Sequence, residues 1–238
     1  LMHAAFTAGH SDIAEVMVWM FGPTSDEYGV LHRGTRVRKM HSSYRSTFRT
    51  LGDTPLATVT RKGVVPIKKD YNPRRKDRNV TILPYFEEKV AIVYYYPNMQ
   101  PDIIDALVAN GYKGIVIAGT GLGHVNKPLY PAIERAHAAG VHMYMTVQTL
   151  WGYAHMFVYD TGRDLMAKGI VPAGNMLPEA AYIKLGWALG QTTDHEEVKK
   201  LMLTPVNDEI TPREPYNGYL VYQGGVREVE DFIRKVHK

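Results

Sequence analysis

Lys39 is set among arginines. Arg36, Arg38 and Arg45 flank it, and no acidic residue occurs between Tyr28 and Gly52. Neighbouring positive charge disfavours an ammonium ion, so a lysine in this setting could lose its proton readily and relay one during hydrolysis. A solvated basic loop accounts for the same composition. The residues alone leave both readings open.

A second candidate is the glycine-rich stretch Gly119-Thr120-Gly121-Leu122-Gly123-His124. Alternating glycines let a ligand or another backbone approach closely. The spacing is GxGxG, and no acidic residue closes the following strand pattern, so a dinucleotide fingerprint is not met. A tight strand-to-helix turn or a subunit contact explains it as well, and Thr120 and His124 stay possible contacts. Between Arg61 and Arg78 lie eight Lys/Arg and two Asp beside Tyr71. That run could touch RNA phosphates or serve as a solvated linker, and no RNA-reading motif accompanies it. Tyr94-Tyr95-Tyr96 reads as strand core rather than a stacking platform. Trp151 and Tyr153 could line a pocket or simply pack.

Several chemistries are set aside by composition. With no cysteine among 238 residues there is no disulfide, thiolate metal site or cysteine nucleophile, and an intracellular, cytoplasmic location is the default. The ten histidines follow no zinc-ligand spacing: His137 and His142 are five apart, and His195-Glu196-Glu197 lacks a second histidine. No apolar run is long enough to span a bilayer. Charge is uneven: residues 1–82 hold fourteen Lys/Arg against seven Asp/Glu, and residues 83–238 fourteen against seventeen. A basic first part suggests a surface that meets an anion or acidic partner.

The elements that must position these residues are clearest after Lys89. Lys89–Tyr96, Gly114–Ala118 and Val141–Val147 read as strands. Between them Pro101–Asn110 and Leu129–Ala139 read as helices stopped by Gly111 and Gly140. Such alternation predicts right-handed crossovers and a parallel sheet. Helices follow at Thr161–Lys168, at Met176–Leu189 (started by Pro178, ended at Gly190) and at His195–Leu203, capped by Asp194. Tyr219–Tyr222 reads as a strand and Val229–Val236 as a helix. In the first third, Ile13–Phe21 reads as a buried strand emptying into the polar segment around Lys39. Ala57–Asp70 reads as two strands meeting at Lys62-Gly63 with Pro66 at an edge, and Tyr71–Asn79 as a basic linker.

The segments SDIAEV (11–16), RGTRVRKMHSSYRSTF (33–48), GYKGIVIAGTGLGHV (111–125), YDTGRDLMAKGI (159–170) and MLPEAAYIKLGWALGQTTDHEEVKKLM (176–202) occur in order. Together they resemble the D subunits of archaeal glutamyl-tRNA(Gln) amidotransferases, within the L-asparaginase superfamily. The resemblance implies an α/β, asparaginase/glutaminase-like fold. Residues 1–82 would be the C-terminal part of the N-terminal α/β domain plus a basic linker, and 83–238 a Rossmann-like, parallel-sheet C-terminal domain.

It further implies a glutaminase that cuts the side-chain amide of glutamine. The ammonia would pass to a partner E subunit, which amidates glutamate on misacylated tRNA with ATP and Mg. This chain itself would hold no cofactor or metal, would form a homodimer, and would meet tRNA mainly through the partner. The superfamily uses a threonine nucleophile activated by a second threonine, an aspartate and a lysine, and the lysine segment maps to Lys39. That makes the catalytic reading of Lys39 the preferred one. The Thr-Gly-Gly-Thr and His-Gly-Thr-Asp-Thr stretches that carry the other groups do not occur among these residues. The chain is therefore expected to begin partway through the catalytic domain and to be inactive alone. A piece of a stand-alone L-asparaginase, or a non-catalytic scaffold half, are the alternatives.

Overall fold

The computed structural model describes residues 1–22, 27–77 and 79–214. The expected strand Tyr219–Tyr222 and helix Val229–Val236 lie outside them. The described residues divide into two compact units, one running from Leu1 and joined by Arg213 and Glu214, the other Thr81–Pro212.

The first unit opens with α1 (Met2–His10), followed by β1 (Met17–Phe21), β2 (Tyr28–Arg33), β3 (Val37–Lys39), β4 (Phe48–Thr50), β5 (Ala57–Thr60) and β6 (Gly63–Pro66). Four of these form an antiparallel sheet in the order β1-β2-β5-β6, and β3 and β4 pair separately as a hairpin. The β5–β6 hairpin turns at Arg61-Lys62, and Pro66 sits on the edge strand, where a missing N–H breaks no ladder. The expected strand from Ile13 is shorter. Ile13 makes an isolated bridge to Pro73, and β1 begins at Met17. As an edge strand β1 is half-buried throughout rather than core, with Val16 exposed just before it. The segment expected to be a polar loop instead contains β2 and β3. The core of this unit gathers Ile13, Leu31, Leu56, Ala57 and Val59.

The start of the basic stretch is not a free linker. The Ala14 N–H donates to the Asn72 carbonyl at 2.7 Å, the Arg74 N–H to the Asp12 carbonyl at 2.6 Å, and the Tyr71 hydroxyl reaches the Asp12 carboxylate at 2.8 Å. Residues 71–74 are thereby laid along residues 12–14.

The second unit alternates β7 (Val90–Tyr94), α2 (Asp102–Ala109), β8 (Gly114–Gly119), α3 (Tyr130–Ala138), β9 (His142–Val147), α4 (Asp160–Ala167) and β10 (Ile170–Pro172). Then come α5 (Pro178–Gln191) and α6 (His195–Leu203). Its sheet is parallel, in the order β10-β9-β8-β7. Every residue of β8 and β9 is buried, as parallel strands covered on both faces require. One face packs Ile104, Leu129, Ile133 and Leu165 over the sheet; the other packs Ala181, Leu185, Val198 and Met202.

Two expectations shift here. Tyr94 and Tyr96 are exposed and only Tyr95 packs against the core. Gly190 does not stop α5, which runs on to Gln191. A β-carbon on Gly190 would collide with the Tyr85 carbonyl, and one on Gly186 with the Phe86 ring, so both glycines admit the strand-leading segment onto α5. Among the described residues no helix is long and apolar enough to cross a membrane.

Candidate functional site

The hairpin that carries Lys39 grows from a buried polar base. At the end of β2, Arg33 donates from Nε to Glu15 at 2.6 Å and lies 3.5 Å from Asp53, which also binds Lys68 at 2.6 Å. Burial works against ionisation of Glu15, but the Arg33 and Asn72 hydrogen bonds and the charges of Arg33 and Lys68 outweigh it, holding the carboxyl below its ordinary value. A paired ion of this kind is costly to build and costlier to break. His32, next to Arg33, places Nδ1 2.9 Å from the Thr50 hydroxyl. Burial first, then the Arg49 charge, push the imidazole down to about 4, so it is neutral at physiological pH. β4 is thus tied to the sheet through a neutral histidine.

β3 and β4 pair Val37 with Thr50, Arg38 with Arg49 and Lys39 with Phe48. Lys39 is exposed at the last rung of this ladder. The arginines expected to crowd it are dispersed. Arg36 is fully buried, Arg38 projects from the opposite face of the same strand, and Arg45 lies over the Phe21 ring at 5.3 Å. Lys39 is therefore on a strand end and not in an arginine-lined loop, because the strand's period of two separates neighbours that the sequence places side by side.

In the second unit the glycine stretch closes on itself at the carboxyl end of β8. The Thr120 and His124 backbones exchange hydrogen bonds at 2.9 Å in both directions, and the Thr120 hydroxyl reaches the His124 carbonyl at 3.2 Å. A β-carbon on Gly119 would lie 2.9 Å from His124 backbone atoms, which explains glycine there. This is the tight strand-to-helix turn. It aims the His124 ring at Thr161, Nδ1 to Oγ1 3.3 Å, with the Tyr159 ring at 5.6 Å. His124 Nε2 is buried with no hydrogen-bond partner among the described residues. Gln148, which no motif marks, donates to the Ala118 carbonyl at 2.9 Å and to that of Tyr95, joining three strand ends. Its place one residue after β9 is its only signal in the sequence. The carboxyl end of parallel strands is where such sheets hold ligands.

At the amino end of the same sheet, three histidines from separate elements meet. His142 stacks on His195 at 3.9 Å, and His137 meets His195 edge-on at 5.9 Å. They border a cleft of ≈ 290 Å³ with Lys199 and Glu196. Burial and then the His195 charge lower His142 to about 4. Parallel rings stacked this closely do not converge their nitrogens on one point. Among the described residues no group of three His, Asp or Glu can hold a metal ion.

The comparisons with known proteins divide along the same chain. The family description "Asparaginase, N-terminal" matches residues 1–72, and "Glutaminase/Asparaginase C-terminal domain" matches 89–202. The chain is 50% identical over 210 residues to the D subunit of a glutamyl-tRNA(Gln) amidotransferase from Thermococcus kodakarensis, covering 88% of this chain and 48% of that protein. It is 45% identical over 215 residues to the corresponding D subunit from Metallosphaera sedula, covering 90% and 48%. It thus spans about half the length of the curated relatives it matches. Among solved structures, L-asparaginase I from Vibrio cholerae aligns with a TM-score of 0.71 at 25% identity, over 85% of this chain and 59% of that one. The thermostable L-asparaginase from Thermococcus kodakarensis aligns at 0.68 and 30% identity, over 76% and 55%. An antiparallel-sheet N-terminal part followed by a parallel α/β domain is the architecture shared with these structures.

Proposed function

The chain belongs to the glutaminase/asparaginase family, and we propose that it is part of a glutaminase subunit of a tRNA-dependent amidotransferase. The observation that carries this reading is the difference in likeness: 45–50% identity to the two amidotransferase D subunits against 25–30% to the L-asparaginases of known structure. In this reading Lys39 is the proton relay. A threonine hydroxyl gives up its proton towards the lysine and attacks the glutamine side-chain amide carbon. The C–N bond breaks as the nitrogen takes a proton, ammonia leaves, and water cleaves the acyl-threonine ester to glutamate. The strand end supports the relay: a rigid ladder fixes the base of the side chain while its amine stays exposed.

The threonine stretches are not among these 238 residues, so the reading assigns to this chain the lysine arm and the frame around it. It would work in the cytoplasm as a homodimer, with an E subunit that uses ATP and Mg and carries most of the tRNA contact. The test is ammonia release from glutamine by this chain alone and after addition of a piece bearing both threonine stretches. Turnover only on combination supports the proposal; equal turnover without that piece overturns it.

A further inference from the structure

We infer that Thr47 is a positioning residue for Lys39, an inference that rests on the relay role proposed above. The β3–β4 ladder ends at the Lys39–Phe48 pair, and six residues, 41–46, turn the chain beyond it. The last rung of a two-stranded ladder is where opening begins. Three hydrogen bonds extend the clasp past that rung. The Met40 N–H donates to the Thr47 carbonyl at 2.7 Å. The Thr47 hydroxyl then accepts from the His41 N–H at 3.2 Å and donates to the His41 carbonyl.

One buried hydroxyl thereby holds both backbone polar groups of His41, a task that needs a group able to give and take a hydrogen bond. The turn is braced from the other side as well. The Arg49 guanidinium donates to the Ser46 carbonyl, to its hydroxyl at 3.2 Å and to the Phe48 carbonyl at 3.1 Å. Inside the turn the Ser43 N–H donates to His41 Nδ1 at 3.0 Å. Thr47 is 5% exposed and touches none of the chemistry itself; it acts by keeping Lys39 in register with Phe48.

The test compares Thr47→Val, which keeps the shape and loses the hydroxyl, with Thr47→Ser, which keeps the hydroxyl. In the 238-residue chain, amide hydrogen exchange at Met40 and His41 should rise by about tenfold or more in Thr47→Val and stay near the parent in Thr47→Ser. In the protein completed with the threonine stretches, Thr47→Val should lower kcat with little change in KM, and Thr47→Ser should restore it. Should Thr47→Val fail to fold, Thr47→Ala carries the same comparison without added bulk. Unchanged exchange and kcat in Thr47→Val, beside an inactive Lys39→Ala, would overturn the positioning role alone. An active Lys39→Ala would overturn the relay on which it rests.

Discussion

His32 Nδ1 and the Thr50 hydroxyl meet at 2.9 Å, and this contact joins the hairpin bearing Lys39 to the four-stranded sheet. It works with the imidazole neutral, which burial and Arg49 ensure by lowering its pKa to about 4. Thr50→Val should therefore loosen the hairpin while leaving the sheet intact. Exchange at the Arg38 and Arg49 amides, the hydrogen-bonded pair of the ladder, should quicken, with destabilisation of about 1–2 kcal/mol by urea unfolding. Unaltered exchange there would contradict the tie.

Acid should weaken the protein earlier than its carboxylates alone would. His32 and His142 titrate near 4 when folded, against 6.5 for the free side chain. Between those values the unfolded chain binds protons that the folded chain refuses. Stability is then full above pH 6.5, falls as the pH drops to about 4, and levels below that for these groups. Each contributes about 3 kcal/mol across the window. Glu15 and Glu209, held below 4.5, add their loss only at lower pH. Urea midpoints at pH 7.5, 5.5 and 4.5 test this; a flat midpoint over that range would refute it.

The buried pair Lys184–Glu209 pins the chain after α6 back onto α5. Lys184 also donates to the Thr204 carbonyl at 2.6 Å, and Glu209 accepts the Asn207 N–H at 2.7 Å. Glu209→Gln should cost about 3–5 kcal/mol, because it strands a buried ammonium, whereas Lys184→Met with Glu209→Leu should cost less than the sum of the singles. Additive losses would show that the two side chains do not depend on each other.

Gly190→Ala provides a test by sign. On an open helix face the change gains up to about 1 kcal/mol. Here the new methyl meets the Tyr85 carbonyl and Phe86 backbone, so the net effect should be a loss of about 1–3 kcal/mol. A stabilised variant would contradict the packing of residues 85–86 on α5.

The second unit was legible because its punctuation is local. Gly111 and Gly140 take positive φ where α2 and α3 stop, Pro178 opens α5, and the Asp194 carboxylate caps α6 by accepting the Glu197 N–H at 2.9 Å. β10 escaped notice because three residues directly after Gly169 carry too little pattern. The first unit hid more. Arg33 and Arg36 read as part of a solvated basic run, yet Arg33's partners Glu15 and Asp53 lie 18 and 20 positions away, and both arginines are buried. No spacing rule brings such partners together. For the same reason His137, His142 and His195 look unrelated in sequence and meet only in the fold. Lys39 stood out by its neighbours' charge and was preferred only through the resemblance, and the strand then separates it from those neighbours; Thr47 carried no signal at all.

The most direct measurement is ammonia release from glutamine by Lys39→Ala combined with a piece bearing both threonine stretches. Lys39 is exposed, so the substitution should leave unfolding free energy within about 0.5 kcal/mol of the parent. Turnover should fall by about 10³-fold or more, as expected when a group that activates the nucleophile is lost. A stable, folded variant that keeps kcat within about tenfold of the parent would contradict the assignment of Lys39 as the proton relay.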